Sequence, residues 1–196
     1  KSRANKRFSF VLTGGSSPKN LYKEFSKMSF DWSSVDFFWG DERFVSSKSK
    51  YSNFRLAKNL FLKKINIDNK HIFPIKTNFK NVNQATNTYQ KSLKSYFKLK
   101  KNSFDLILLG MGDDGHVASI FQENLNNDEN KIVKSVIRKD FQRVSISLKT
   151  INTAKNIYLW LNNKKKTHNY KKFLKSRETV PVKYLSKKKT KVFLIN

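Results

Sequence analysis

The sequence predicts an α/β fold, a three-layer sandwich in which helices cover both faces of a mainly parallel sheet. Two observations lead to this class. Short apolar segments alternate along the chain with longer segments of helical periodicity, as in successive βαβ units. Several apolar segments also lack the polar alternation of a half-exposed strand, which is typical of strands that are buried on both faces.

The individual elements follow from length and periodicity. Six short apolar segments are predicted as strands: 8–12, 35–39, 104–109, 144–148, 157–161 and 192–195. Four segments between them are predicted as helices: 18–28, 53–63, 84–98 and 165–175. In the third helix, apolar residues recur every three or four positions from Ala85 to Phe97, which gives one apolar face. With no internal repeat or linker, we expect residues 1–196 to form a single domain, with 124–131 as an exposed loop.

The composition limits the chemistry of the chain. It has 196 residues and no cysteine, which excludes disulfides, thiolate chemistry and cysteine-bound metals. Because His71, His116 and His168 are widely spaced, we expect no metal site. No apolar run approaches the ~20 residues that span a membrane, and the basic first residues lead directly into a predicted strand, not into a signal peptide. We therefore expect a cytoplasmic protein.

The formal net charge of +27 has two explanations. Basic proteins bind nucleic acids and anionic surfaces by releasing counterions. Here, however, lysines are spread through the whole chain together with abundant Asn, Ile and Phe, as in proteins encoded by AT-rich genomes. Runs such as 164–166 are predicted to be solvated faces. We expect no specific nucleic-acid partner, although the charge would attract phosphorylated metabolites.

The most informative segment is 104–121, FDLILLGMGDDGHVASIF. A buried strand ends in a glycine-rich turn that carries Asp113, Asp114 and His116. Open α/β sheets present reactive groups at the carboxyl ends of their strands. We expect a short helix to start at Val117, and the positive end of that helix would favour the neutral imidazole that a general base needs. A structural histidine in an ordinary Asp-Gly turn is the alternative interpretation.

A second candidate is the glycine–serine loop that follows the first strand. Gly14, Gly15, Ser16 and Ser17 precede a proline that starts the first predicted helix. Backbone N–H groups and hydroxyls in such a loop can bind one phosphate. The pattern is neither a nucleoside-triphosphate P-loop nor a dinucleotide fingerprint, so those cofactors are not expected. A simple turn is the alternative.

A third candidate is the charged cluster at the end of the second predicted strand. Asp41, Glu42 and Arg43 occur in the segment FWGDERFV, and Ser52-Asn53 follows. The cluster is either a surface ion pair of little energetic value or a site carboxylate beside an arginine. An arginine there could bind a phosphate or a developing oxyanion.

Together these segments resemble the 6-phosphogluconolactonase family. The glycine–serine loop of the family is matched by TGGSSPKNLY. Its Asp-Glu-Arg segment with a following Ser-Asn is matched by WGDERFV and SNFRLA, and its strand–turn–helix by DLILLGMGDDGHVASIF. Weaker similarity continues through RVSISLKTIN and IYLWLNNKKK. Because the motifs occur in the same order, the likeness covers nearly the whole chain. The family usually has a further helix before the first strand, which we expect this sequence to lack.

The resemblance implies a Rossmann-like sheet of the sugar-phosphate isomerase and lactonase type. It also implies hydrolysis of 6-phospho-D-glucono-1,5-lactone to 6-phospho-D-gluconate in the oxidative pentose phosphate pathway, without a metal or an organic cofactor. The expected partner is a small phosphosugar lactone, with no membrane, and the protein is expected to be a monomer or a small homo-oligomer.

The resemblance also assigns roles to residues. His116 becomes the base, and Asp41 and Asp114 become nearby acids, either of which could orient the imidazole or the water. Arg143 and Lys166, which charge alone would not single out among 41 Lys and Arg residues, become phosphate or oxyanion contacts. The full set of expected substrate contacts is Gly14, Gly15, Ser16, Ser17, Arg43, Arg143 and Lys166. Asn163 stands where the family commonly has a glycine before this lysine.

Other functions stay open at this point. A glucosamine-6-phosphate deaminase or isomerase-like enzyme would share the loop and the Asp-Gly-His turn. Those enzymes follow the histidine with an Asn-Glu-Pro-type acid, where this chain has Ala118-Ser119-Ile120-Phe121. A basic nucleic-acid-binding protein is the alternative from another class, and it has no recognisable binding motif here. A catalytically silent relative is the third alternative.

Overall fold

The structure is a computed structural model that describes residues 7–98, 103–125 and 131–194. The described residues form nine strands, β1 to β9, at Phe8–Leu12, Val35–Trp39, Asp41–Arg43, Ile72–Phe73, Leu106–Leu109, Val133–Ile137, Gln142–Ile146, Asn156–Leu161 and Thr190–Leu194. Helices α1 to α5 lie at Lys19–Phe25, Asn53–Leu60, Val82–Lys98, Leu148–Thr153 and Lys164–Lys175. Short 3-10 helices lie at Trp32–Ser34, Leu62–Lys64, Asn69–His71, Gln122–Asn124 and Pro181–Tyr184.

Six strands form the central sheet, in the order β4-β2-β1-β5-β8-β9. Every neighbouring pair in this sheet is parallel. The predicted α/β class with a mainly parallel sheet is therefore confirmed. The four predicted helices correspond to α1, α2, α3 and α5, with ends that differ by a few residues.

Aromatic packing on β2 shows why the sheet is covered on both faces. All five residues of β2 are buried, and its successive side chains point to opposite faces. Phe37 packs edge-on against Phe61, which directly follows α2, with ring centroids 5.5 Å apart. Phe38 packs edge-on against Tyr96 of α3, with centroids 4.7 Å apart. The two faces of the sheet thus form two aromatic cores, which makes the three layers.

Side-chain caps determine where the two helices nearest the site begin. The Ser52 hydroxyl accepts a hydrogen bond from the Arg55 backbone N–H and caps α2. The side chain of Asn163 accepts one from the Lys166 backbone N–H at 2.9 Å and caps α5. The asparagine that replaces the family's common glycine is therefore an N-cap, and Lys166 lies in the first turn of a helix.

A second, antiparallel sheet was not predicted. It contains β3, β7 and β6, in that order. Segment 144–148 was predicted as a strand of the parallel sheet; instead the strand here is β7, Gln142–Ile146, in the antiparallel sheet. The chain leaves the main sheet at Gly40, whose N–H donates to the Leu12 carbonyl and whose carbonyl accepts from the Ile146 N–H. Asp41, at the start of β3, is thus held in an extended strand and not in a loop.

The helix predicted from Val117 onwards is wrong. Val117 forms isolated antiparallel bridges with Met111 and Ile120, which hold residues 111–120 as a compact turn. Ala118 has a φ of 50°, a left-handed conformation that a right-handed helix does not contain. His116 therefore does not lie at a helix N-terminus. In the predicted loop 124–131, residues 126–130 lie outside the described residues. None of the described helices is long and apolar enough to cross a membrane.

Candidate active site

A cleft of about 450 Å³ opens beyond the carboxyl ends of β1 and β5. These strands are neighbours, and the chain continues from β1 to β2 on one side while β5 lies on the other. Ligands bind in α/β sheets at such a reversal of strand order. The cleft is lined by all ten residues predicted from the sequence, Gly14, Gly15, Ser16, Ser17, Asp41, Arg43, Asp114, His116, Arg143 and Lys166. The structure thus brings them together, while their catalytic roles stay predictions.

His116 is held by Asp114. The two side chains are joined by a 2.5 Å hydrogen bond between Nδ1 of the imidazole and Oδ1 of the carboxylate. The same oxygen accepts the backbone N–H of His116 at 3.2 Å. The hydrogen bond from His116 lowers the pKa of Asp114 to about 2, so this carboxylate is ionised at neutral pH. A carboxylate that accepts from Nδ1–H leaves Nε2 as the nitrogen with a free lone pair.

Asp41 contacts different partners. Its carboxylate accepts a 2.6 Å hydrogen bond from the Ser119 hydroxyl and a 3.2 Å hydrogen bond from Nδ2 of Asn53. Asp41 is buried at the bottom of the cleft. Of the two acids that could orient the imidazole, Asp114 is therefore the one in contact with it.

The glycine–serine loop is fixed at both ends. The buried Tyr22 hydroxyl accepts from the Thr13 N–H and donates to the Thr13 carbonyl, which anchors the start of the loop. At its end, Lys166 Nζ donates to the Ser17 hydroxyl at 2.6 Å. Burial lowers the pKa of Lys166, an effect that the negative charge of Asp113 opposes. The loop and a half-buried ammonium group thus form one wall of the cleft.

Two arginines form the opposite wall. Arg43 of β3 and Arg143 of β7 are directly opposed across the antiparallel pair. The Arg143 guanidinium donates to both carboxylate oxygens of Asp140, at 2.9 and 2.5 Å, and holds the pKa of that carboxyl well below its usual range. Nε of Arg43 is buried and has no hydrogen-bond partner among the described residues. Both arginines line the cleft, where guanidinium N–H groups can donate to an anion.

Glu42, the middle residue of the charged cluster, lies outside the cleft. Its buried carboxylate accepts from the backbone N–H groups of Asn53 and Phe54, both at 2.8 Å, and from the Ser52 hydroxyl at 3.0 Å. Burial raises the pKa of Glu42 to about 7, although these hydrogen bonds favour its ionised form. Glu42 therefore joins β3 to the N-terminus of α2.

Several lining residues were not predicted as site residues. Asn53 and Ser119 bind Asp41, and only Asn53 had a signal, as part of the Ser-Asn motif. The centroid of the Phe121 ring lies 4.5 Å from the centroid of the His116 ring. The same centroid lies 4.0 Å from the guanidinium carbon of Arg138. No sequence pattern singled out the hairpin residue Arg138. The described residues contain no cluster of three or more His, Asp or Glu that could hold a metal ion, and the absence of a metal from the reaction stays a prediction.

Comparison with known proteins shows the family to which the chain belongs. Residues 1–194 match the family model described as glucosamine-6-phosphate isomerases/6-phosphogluconolactonase. The chain belongs to this family. Among curated relatives, the 6-phosphogluconolactonase of Synechocystis sp. is 34% identical over 162 residues, which make up 81% of this chain and 68% of that protein.

Solved structures show the same family fold. The crystal structure of 6-phosphogluconolactonase from Thermotoga maritima superposes with a TM-score of 0.86 and 28% identity, over 97% of this chain and 85% of that one. A monomeric glucosamine-6-phosphate deaminase superposes with a TM-score of 0.79 at 17% identity, over 96% of this chain and 85% of that one, which shows a shared fold alone. The predicted membership of the 6-phosphogluconolactonase family is confirmed.

Proposed function

We propose that this protein is a 6-phosphogluconolactonase, which hydrolyses 6-phospho-D-glucono-1,5-lactone to 6-phospho-D-gluconate in the oxidative pentose phosphate pathway of the cytoplasm. One observation carries the proposal. An imidazole held by a carboxylate shares a single cleft with a glycine–serine loop, a lysine and two arginines. A lactone is an activated ester, so its hydrolysis needs only a base for water and positive groups for the phosphate and the oxyanion. Relatives named 6-phosphogluconolactonase support this assignment.

The proposed chemistry begins at His116. Because Asp114 binds Nδ1, Nε2 takes a proton from water while the water oxygen attacks the C1 carbonyl. Asp114 then stabilises the imidazolium that forms. The tetrahedral intermediate collapses with cleavage of the bond between C1 and the ring oxygen. His116 returns its proton to that oxygen, and the products are a carboxylic acid and a free hydroxyl group.

The positive groups divide into two tasks. The phosphate is bound by some of the basic residues together with the loop 14–17, and this remote binding places C1 against the water. The oxyanion at C1 is stabilised by backbone N–H groups of a glycine turn, assisted by an arginine. The Arg43 Nε is a candidate for one of these tasks because it is buried without a partner among the described residues.

The deaminase alternative has weaker support. After His116 the cleft is lined by Ala118, Ser119 and Phe121, none of which carries a carboxylate. The Asn-Glu-Pro-type acid of deaminases therefore has no counterpart in this segment. For this reason the lactonase is the function that we propose.

The test is hydrolysis of freshly generated lactone, coupled to 6-phosphogluconate dehydrogenase in chelator-treated buffer. We expect a rate well above spontaneous hydrolysis. His116→Asn should lower kcat by about 10²–10⁴-fold, the usual contribution of a general base, with affinity for 6-phosphogluconate largely kept. A folded wild-type protein that does not accelerate the reaction would overturn the proposal, and steeply salt-dependent binding to DNA or RNA in its place would favour the nucleic-acid alternative.

A further inference from the structure

We propose that Asn53 is a positioning residue that holds Asp41 and Arg43 in the cleft, and that Gly14 lacks a side chain because Asn53 occupies its place. This inference rests on the proposed function, since Asn53 and Gly14 both line the cleft to which that function is assigned. It adds a residue that the mechanism above does not use. It also gives Gly14 a role other than phosphate binding.

The Asn53 amide joins two groups of opposite charge. Its Nδ2 donates to the backbone carbonyl of Asp41 at 2.9 Å and to the Asp41 carboxylate at 3.2 Å. Its Oδ1 accepts a 2.7 Å hydrogen bond from Nη1 of Arg43. A carboxamide has one donor side and one acceptor side, so it satisfies a carboxylate and a guanidinium at once. An aspartate at this position would repel Asp41.

The backbone of Asn53 is itself held firmly. Asn53 is 1% exposed, is the first residue of α2, and donates its N–H to Glu42 at 2.8 Å. Glu42 also accepts the N–H of Phe54, which ties the start of α2 to β3. The amide therefore extends from a fixed helix terminus, and its side-chain geometry is transmitted to Asp41 and Arg43. A residue with this support is suited to positioning other groups.

Gly14 provides the space for the amide. A Cβ added to Gly14 would lie 1.8 Å from Oδ1 of Asn53 and 2.0 Å from its Cγ. The backbone of Gly14 is not in the left-handed region, so a turn conformation does not require glycine here. Glycine is required because the Asn53 side chain lies so close to its backbone. The loop after β1 and the helix after β2 thus meet at this contact, and Gly14→Ala should displace the amide.

The consequence for activity follows from geometry. Without the amide, Asp41 and Arg43 each lose a hydrogen-bond partner inside the cleft. Misplacement of a catalytic group by about 1 Å can cost 10²-fold in rate. We expect Asn53→Ala to lower kcat/KM by about 10- to 10²-fold.

The Ser52→Ala variant is the control that distinguishes positioning by Asn53 from a merely structural role of Asn53 in α2. The Ser52 hydroxyl caps the same helix and donates to Glu42 at 3.0 Å. Ser52→Ala should lower the Tm but leave kcat/KM near the wild-type value. If Ser52→Ala lowers kcat/KM as much as Asn53→Ala does, Asn53 acts only through helix stability and the inference is overturned.

Coupling to Arg43 gives a second criterion. Asn53→Ala should have a smaller effect on kcat/KM in an Arg43→Ala background than in the wild type, because one of the two positioned groups is already gone. An effect of the same factor in both backgrounds would contradict the inference.

Two glycine variants provide a steric test that leaves Asn53 in place. Gly14→Ala should reproduce the loss of kcat/KM seen with Asn53→Ala. Gly40→Ala is the matched control, because its Cβ would lie 3.7 Å or more from its neighbours, at ordinary contact distance. Equal activity of the Gly14→Ala and Gly40→Ala variants would contradict the close approach.

A readout independent of catalysis separates this inference from the proposed function. Arg43 can be labelled with phenylglyoxal and its modification followed by mass spectrometry. Labelling of Arg43 should be several-fold faster in Asn53→Ala than in the wild type or in Ser52→Ala. Equal labelling rates would overturn the positioning role even in an active enzyme. A wild-type protein without lactonase activity would overturn the proposed function and leave the labelling result to decide the role of Asn53.

Discussion

Replacement of Gly112 by alanine tests whether His116 acts from the position in which the structure holds it. Gly112 lies beneath the imidazole, and its N–H donates to the His116 carbonyl at 2.9 Å. A Cβ at this position would lie 2.1 Å from Cε1 and Nδ1 of His116 and 2.7 Å from Oδ1 of Asp114. The imidazole and the carboxylate that orients it would both have to move.

The expected magnitude follows from these distances. The imidazole has to move by about 1.3 Å to reach an ordinary contact distance of 3.4 Å. A displacement of this size costs about 10²-fold in kcat, or about 2.7 kcal/mol of transition-state stabilisation. The Tm should change little because the atoms in conflict belong to a partly exposed side chain that can rotate. KM should also change little, since the basic residues and the loop 14–17 stay in place.

The assay is the coupled lactonase reaction under saturating substrate, with the Tm of each variant measured in parallel. Gly40→Ala is the control, because the Cβ that it adds meets its neighbours at 3.7 Å or more. A Gly112→Ala variant with wild-type kcat and wild-type Tm would refute the assignment of His116 as the base in this geometry.

Two further variants test other parts of the site, and a third tests the buried carboxyl group of Glu42, outside the cleft. Asp114→Asn should lower kcat by about 10²–10⁴-fold, because an amide can donate to Nδ1 and so place the proton on Nε2; steady-state kinetics with unchanged kcat would contradict this role. Lys166→Met should lower kcat/KM by about 10- to 10²-fold, because the half-buried ammonium group loses a charge-assisted hydrogen bond. Lys165→Met is the control and should leave kcat/KM unchanged, because Lys165 forms an exposed ion pair. Equal kinetics of the two variants would argue against phosphate binding by Lys166. Because burial raises the pKa of Glu42 from 4.5 to about 7, the folded protein binds a proton there between these pH values that the unfolded chain does not bind. The free energy of unfolding should therefore fall by up to about 3 kcal/mol from pH 4.5 to 7, and urea unfolding of Glu42→Gln should lack this slope; parallel profiles for the two proteins would contradict the raised pKa.

The parts of the fold that were predicted correctly depend on local patterns. Strands β1 and β2 are short and mostly apolar, and helix α3 has a clear helical period; these signals do not require knowledge of the partner element. The antiparallel sheet has no such signal. Strand β3 consists of Asp41, Glu42 and Arg43, a charged tripeptide whose extended form depends on pairing with β7, about 100 residues further along the chain.

The helix predicted at Val117 failed for a related reason. The sequence after His116 has no helix-breaking residue, so local propensity allows a helix there. In the folded chain, however, Val117 is buried and pairs with Met111, two residues after the end of β5. Tertiary packing outweighed a weak local preference.

The amino-acid sequence, together with its resemblance to the family, was sufficient to locate the candidate cleft and to name ten of the residues that line it. Glycine-rich turns after two strands of a parallel sheet indicate where reactive groups collect, because the carboxyl ends of such strands meet at one edge. The partners of each group were decided only by the tertiary structure. Asp41 binds Asn53 and Ser119, and Arg43 is paired with Arg143 across two strands. These contacts join elements that lie about 10 to 100 residues apart in the chain, so local sequence does not predict them. Their distances depend on strand register and helix packing, which arise from the burial of the whole core and have no local signature.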